Sequence, residues 1–371
     1  MSARSRTGET PRPPTVATKT DVGANEWRID DDVARLRVWG SDQFHPLPTN
    51  TNEVLIGSTE ACAIKLRDAS RRVSRQHARL VREGASWIIR DLESKNGIQL
   101  DGARREAFAI EPGVEIGIGG VTLIAESARL IALRCFLARL LGWASSQIEA
   151  VDLALRAIRV AATRRAALVL SGDGDLVPVA HALHRHVLGD DRPFVQCDPR
   201  RGRRAASVRS VQNYDLGIPA LVTAAGGSLC IWSRRLPRDF KEVTAALREP
   251  GVRVQLIVCT HEPDDGKDFV AAPIQIPPLS TRPKELDRVI DEYGADAVAS
   301  LAARTPFTRK DREWVREHSS SSFPDIEKGT RRLVALRHGG SIARAAALLG
   351  MSHVALTEWI GRRRIPSAPA K

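Results

Sequence analysis

Apolar and polar residues alternate from Ala34 to Glu126, through "ARLRVW", "EVLIG", "CAIKL", "HARLVRE", "SWIIRDL", "GIQLDG" and "VEIGIGGVTLIAE". A period of two turns one face of each segment inward, and Gly and Asn turns separate the segments at regular spacing. This pattern predicts a β-sandwich over residues 33–127. The period then changes. "ARLIALRCFLARLLGW" and "SQIEAVDLALRAIRVAAT" carry apolar residues three and four apart, as amphipathic helices do. Between Arg165 and Ile276 the apolar runs "AALVLSG", "FVQCD", "GSLCIWS", "VRVQLIVCT" and "IQIPPL" alternate with helical stretches. That rhythm predicts a parallel sheet flanked by helices, giving an α/β domain over 128–279. From Lys284 onward the pattern is helical, divided into a segment over 280–322 and a last unit over 323–371. Segment 1–32, with "TPRPPTVATKTD", holds too few apolar residues to order itself and is expected to be disordered.

Composition narrows the class. A chain of 371 residues with 43% hydrophobic residues has material for several domains, each with its own core. The net charge of +12 fits an anionic partner, although arginines on solvated faces produce the same excess. The cysteines (Cys62, Cys135, Cys197, Cys230, Cys259) are scattered without a C-x-x-C pair, which points to buried, reduced thiols and a cytoplasmic location. No apolar run approaches the roughly 20 residues of a membrane span, and the N-terminus lacks an apolar signal core. No metal is expected. His181, His184 and His186 have no Cys or Glu at ligand spacing and read as surface-helix residues. Asp173 and Asp175 read as turn residues.

Four motifs occur in order within the sandwich: Ile56-Gly57, Ser74-Arg75-x-His77, Ser94-x-Asn96-Gly97 and Asp101-Gly102. With them the segment resembles a forkhead-associated (FHA) domain. The resemblance implies a phosphothreonine peptide held by the loops at one end of the sandwich. The implied contacts come from Ser58, Arg72, Ser74, Arg75, Lys95 and Asn96, with His77 buried behind the loop. Hydroxyl, amide and guanidinium donors suit a phosphate dianion. Ser58 departs from the family, which carries an arginine directly after the glycine of the "IG" pair. Losing a charged donor costs about 1.5–3 kcal/mol. Arg71, Arg72 and Arg75 are the nearest candidates in sequence to replace it.

Residues 140–330 resemble the central ATPase domain of sigma-54-dependent transcription activators. "VLSGDGDLVPVAHALHRH" stands for the Walker A strand, loop and helix, with Gly172 and Gly174 in the loop, and "AAGGSLCIWSRRLP" stands for the Walker B strand. Phosphoryl transfer needs a lysine on the phosphates and a carboxylate on Mg²⁺. No lysine follows Gly174, and Trp232 and Ser233 occupy the carboxylate positions. The expectation is a degenerate AAA+-like domain with a helical lid, no enzymatic activity and no cofactor.

"DIEKGTRRLVALRHGGSIARAAALLGMSHVALTEWIGRRRIP" resembles the three-helix, Fis-type helix-turn-helix that closes those activators. Ser341 and Ser352 are positioned to cap the second and third helices. Val354, Leu356, Trp359 and Ile360 are expected to face inward. Gly329 to Lys371 holds eight Lys and Arg against one acidic residue, Glu358. A basic third helix after a tight turn is the arrangement that enters a major groove. Ser352, His353 and Thr357 are the candidates for base edges, with Arg344, Arg362, Arg363 and Arg364 on phosphates. Apolar Ile326, Leu333 and Leu336 of the first helix are candidates for a homodimer seam. These features together predict a multidomain bacterial transcription regulator. Its partners would be a phosphothreonine protein of a Ser/Thr kinase pathway, double-stranded DNA and RNA polymerase. Two alternatives stay open: a phosphothreonine-dependent adaptor that does not bind DNA, and an enzyme with an unconventional ATP site.

Overall fold

The computed structural model describes residues 32–84, 86–205, 211–262, 269 and 272–363. Arg364, and all of 1–32 except Asp32, lie outside the described residues. The alternating segment forms two packed sheets. One runs in the order β2 (Phe44–Pro46), β1 (Val33–Val38), β11 (Val121–Ser127), β10 (Glu115–Ile118), β7 (Ile98–Leu100), β8 (Ala103–Arg105). The other runs β4 (Ile64–Lys65), β3 (Glu53–Gly57), β5 (Ala78–Glu83), β6 (Ser86–Asp91), β9 (Ala107–Ile110). Their inward positions, including Val54, Ile56, Leu80, Ile89, Ile116 and Leu123, form one apolar core.

In the middle region β14 (Gln212–Tyr214), β13 (Phe194–Cys197), β15 (Ser228–Trp232), β16 (Gln255–Thr260), β12 (Leu168–Gly172) and β17 (Ile274–Ile276) pair in that order. Every pairing among them is parallel. Both faces are covered, which is why these strands read as unbroken apolar runs. Leu170, Cys230, Trp232, Ile257 and Cys259 face the side of α1 (Ala128–Leu141), α2 (Ile148–Arg164) and α3 (Val177–Leu188). Val169, Val195, Leu229, Ile231 and Val258 face α4 (Gly217–Thr223) and α5 (Phe240–Ala246).

The sandwich is joined to this region without a linker. Ser127 ends β11, and its side chain accepts the Leu130 N–H at 3.2 Å to cap α1. Across the joint, fully buried Arg37 of β1 pairs with Asp152 of α2 and with Glu126, its Nε lying 2.6 Å from Glu126 Oε1. Burial opposes the Arg37 charge, but the two carboxylates outweigh it and hold the guanidinium pKa above its ordinary value. Arg156 grips Glu115 with two nitrogens, at 2.7 and 2.6 Å, and stacks 4.0 Å over the Trp39 ring.

The remaining helices are α6 (Leu286–Ser300), α7 (Arg309–His318), α8 (Phe323–Gly339), α9 (Ile342–Leu348) and α10 (His353–Arg363). A single apolar cluster runs from α1–α3 through α6 and Trp314 to Trp359 of α10, so segments 280–322 and 323–371 share one core. Three expectations are corrected here. Ile326 and Leu333 are buried within the chain, so that face of α8 is not a free dimer seam. Val354 is 64% exposed instead of facing inward. The α3 histidines are not on a surface helix: His184 is buried, with Nδ1 2.8 Å from Ser228 Oγ and Nε2 3.1 Å from the Arg192 carbonyl, and His181 stacks on Phe194. Cys62, Cys197, Cys230 and Cys259 are buried free thiols, whereas Cys135 is exposed. Among the described residues, no helix is long and apolar enough to cross a membrane.

Candidate functional site

Three loops meet at one end of the sandwich. The loop between β4 and β5 is built around Asp68, whose carboxylate accepts from the Ser70 hydroxyl and from the N–H groups of Ser70, Arg72, Val73 and Gly120. Those donors hold the Asp68 carboxyl well below the usual carboxylate range. The loop then reaches Ser74, whose N–H donates to His77 Nδ1 at 3.0 Å. That bond leaves the proton on Nε2, which lies 3.1 Å from the Gly97 carbonyl and 3.0 Å from Ser94 Oγ. His77 is fully buried and locks the β4–β5 and β6–β7 loops together.

The predicted residues Ser58, Ser74, Lys95 and Asn96 come together on this frame. The Ser58 N–H donates to the Ser74 carbonyl at 3.1 Å, and the Lys95 N–H donates to Ser74 Oγ at 3.2 Å. Asn96 Nδ2 donates to the Arg72 carbonyl at 2.7 Å. The Arg72 guanidinium bonds Ser70 Oγ at 3.0 Å, while Arg75 is exposed and its carbonyl is held by Thr59 and Cys62. Sequence reasoning missed Arg104, whose guanidinium lies across Gly97. The arrangement offers a hydroxyl, a carboxamide and several cations to an anion at an open surface.

A second candidate lies where the strands of the parallel sheet end, the usual place for ligands in such sheets. Gly172 lets the chain pass close to Ile276, where a Cβ would sit 3.0 Å from the Ile276 carbonyl oxygen. Gly174 has φ +77°, which favours glycine. One amide at the start of α3, that of Val177, is already engaged. Asp175 Oδ1 accepts the Val177 N–H at 3.2 Å, two residues on, within the turn that leads into α3. Arg201 lies 3.5 Å from both Asp175 and Asp198, and Arg235 lies 3.1 Å from Asp198. Buried Trp232, at the end of β15, stacks on His261 at 4.8 Å. The adjoining cavity of about 390 Å³ is lined by Asp173, Asp175 and Ser320–Ser322, and by no Lys or Arg. Among the described residues, no group of three or more His, Cys, Asp or Glu could hold a metal ion.

At the C-terminal helices, Ser341 Oγ accepts the Arg344 N–H at 3.3 Å and Ser352 Oγ accepts the Ala355 N–H at 3.2 Å. Gly350 has φ +58° in the turn between α9 and α10. Arg344, Ser352, His353 and Thr357 are exposed. Arg362 lies 3.3 Å from Glu358 on its own helix. Arg363 turns inward, 3.2 Å from Asp325 and over the Trp359 ring.

Residues 54–119 match the FHA domain family model, and this part of the chain is an FHA domain. No curated protein matches the chain. Among solved structures, it is similar to an FHA domain from a study of phosphothreonine-dependent FHA interactions, with 24% identity over 25% of this chain and 94% of that one (TM-score 0.23). Mycobacterium tuberculosis EmbR in complex with a low-affinity phosphopeptide is 31% identical over 26% of each chain (TM-score 0.23). The FHA domain of the Chlamydia trachomatis protein CT664 is 23% identical over 25% of this chain and 95% of that one (TM-score 0.23).

Proposed function

We propose that this chain reads a phosphothreonine on a partner of a Ser/Thr kinase pathway and carries that signal to double-stranded DNA through α10. The observation that carries the reading is the loop end of the FHA domain. Ser74 and Asn96 are held there by His77 and Arg72, beside Arg71, Arg75 and Lys95, which have no ion-pair partner among the described residues. Unpaired cations around fixed donors suit a dianion. Two capped helices joined by a tight turn, with Arg344, His353 and Thr357 exposed, support the DNA arm. Between them the reading puts an α/β core inert towards ATP, supported by the absence of a lysine after Gly174 in the loop and by Trp232, not a carboxylate, at the end of β15.

Calorimetry of the full chain with a phosphothreonine peptide pool tests the first arm. Binding to the phosphorylated pool only, lost in Ser74→Ala, is expected, and equal binding of the unphosphorylated pool refutes it. For the DNA arm, His353→Ala or Thr357→Ala should change the preferred sequence in a gel-shift selection. The adaptor reading draws support from one observation. Arg363 is taken up by Asp325 and the Trp359 ring, which removes one of the tail's cations from phosphate contact. Failure of the full chain to retain DNA at low salt would establish that reading instead.

A further inference from the structure

The FHA domain lacks the family's arginine after its "IG" pair, and Ser58 stands in that place. The structure shows a cation arriving from elsewhere. Arg104 lies on β8, a short edge strand whose residues are all exposed. Its neighbour across the hairpin is Gln99, and its side chain folds back towards the binding loops. Its Nε would be 2.6 Å from a Cβ at Gly97, and its Nη2 3.1 Å, so the guanidinium rests on the backbone of the residue next to Asn96. The Gly97 carbonyl is tied to His77, and His77 holds Ser74. The guanidinium therefore lies beside the same frame that carries the phosphate donors.

Its lack of an ion-pair partner is shared with Arg71, Arg75 and Lys95 of the loop end, so its position against Gly97 is what singles it out. Elsewhere in this domain, Arg35 and Arg37 pair with Glu126, Arg79 with Glu53, and Arg90 with Glu83. No carboxylate lies within ion-pair distance of Arg104 among the described residues. Of the arginines nearer in sequence, Arg72 spends its Nε on Ser70 Oγ. A planar fork with free N–H groups, laid along a rigid backbone, is suited to bidentate capture of phosphate.

We propose that Arg104 is the charged phosphate donor of this site, replacing from β8 the arginine that Ser58 has displaced. The proposal rests on the phosphothreonine reading above. The test is fluorescence polarisation of the full chain with a phosphothreonine peptide pool that excludes Asp and Glu, so that phosphate is the only side-chain anion. Arg104→Gln should weaken binding at least tenfold, the worth of a charged hydrogen bond. Ser58→Arg in the Arg104→Gln background should restore it. Circular dichroism of each variant confirms that the edge strand is intact. Unchanged affinity in Arg104→Gln, or no rescue by Ser58→Arg, overturns the assignment and leaves the phosphothreonine reading standing. If the unaltered chain does not distinguish this pool from its unphosphorylated form, the reading itself falls and the assignment with it.

Discussion

Removing the Asp152 carboxylate should loosen the joint between the FHA domain and the helices behind it. In the intact chain the Arg37 guanidinium has three kinds of partner. Nε meets Glu126, Nη1 meets the Val38 and Ser41 carbonyls, and both Nη atoms meet Asp152. The Gly40 N–H also donates to Asp152 Oδ2 at 2.8 Å. Asp152→Ala strips one of two carboxylates from a fully buried cation and leaves a backbone N–H unpaired. Breaking a buried ion pair costs about 3–5 kcal/mol. Because Glu126 stays in place, the lower end, about 3 kcal/mol, is expected. Asp152→Asn should cost less, because its amide oxygen still accepts from Arg37. Urea unfolding gives the total, and hydrogen exchange resolved by mass spectrometry should place the loss in β1 and β11. A change below about 0.5 kcal/mol in Asp152→Ala would refute the reasoning, since that is the size of an ordinary surface substitution.

Acid should destabilise the chain through α3. Burial pushes the His181 pKa down to about 4 and lowers those of His184 and His186, so all three are neutral in the fold where the unfolded chain takes up protons. Their stability is intact above pH 6.5 and lost as the pH falls towards 4, which a thermal-midpoint series across that range will show, with a shallower fall in His181→Phe. Calorimetry should find no micromolar Mg-ATP binding, and binding that is lost on mutating Asp175 or Gly174 would contradict the inert core. Arg344→Ala should flatten the salt dependence of DNA binding by about one unit, as one phosphate contact does. Arg363→Ala should leave that slope alone and lower the thermal midpoint, because its partners are Asp325 and Trp359.

The sandwich and the parallel sheet were legible because their strands alternate or run unbroken according to which faces are covered. The loop motif was legible through the resemblance to FHA domains, whose motifs around Ser74, His77 and Asn96 occur here in the same order. What escaped was set by partners distant in the chain. Arg104 lies on a strand with no buried face, so no periodicity marks it, and its closeness to Gly97 comes from a hairpin turn. His184 reads as polar, yet Ser228 and the Arg192 carbonyl satisfy it inside the core. Ile326 and Leu333 showed correctly as an apolar stripe. A stripe does not say what covers it, and here α6 and its neighbours do.

The direct passage from β11 into α1 also limits how the chain can change in length. Ser127 is both the last strand residue and the helix cap, so no spare residue separates the two elements. One inserted residue would rotate α1 by about 100° about its axis, because a helix advances 3.6 residues per turn. Leu130, Leu133 and Leu137 would then leave the core they now fill, and Arg134 would lose Asp42. Most surface connections tolerate insertions. This one should reject even a single residue, so fusions and insertions belong at other sites.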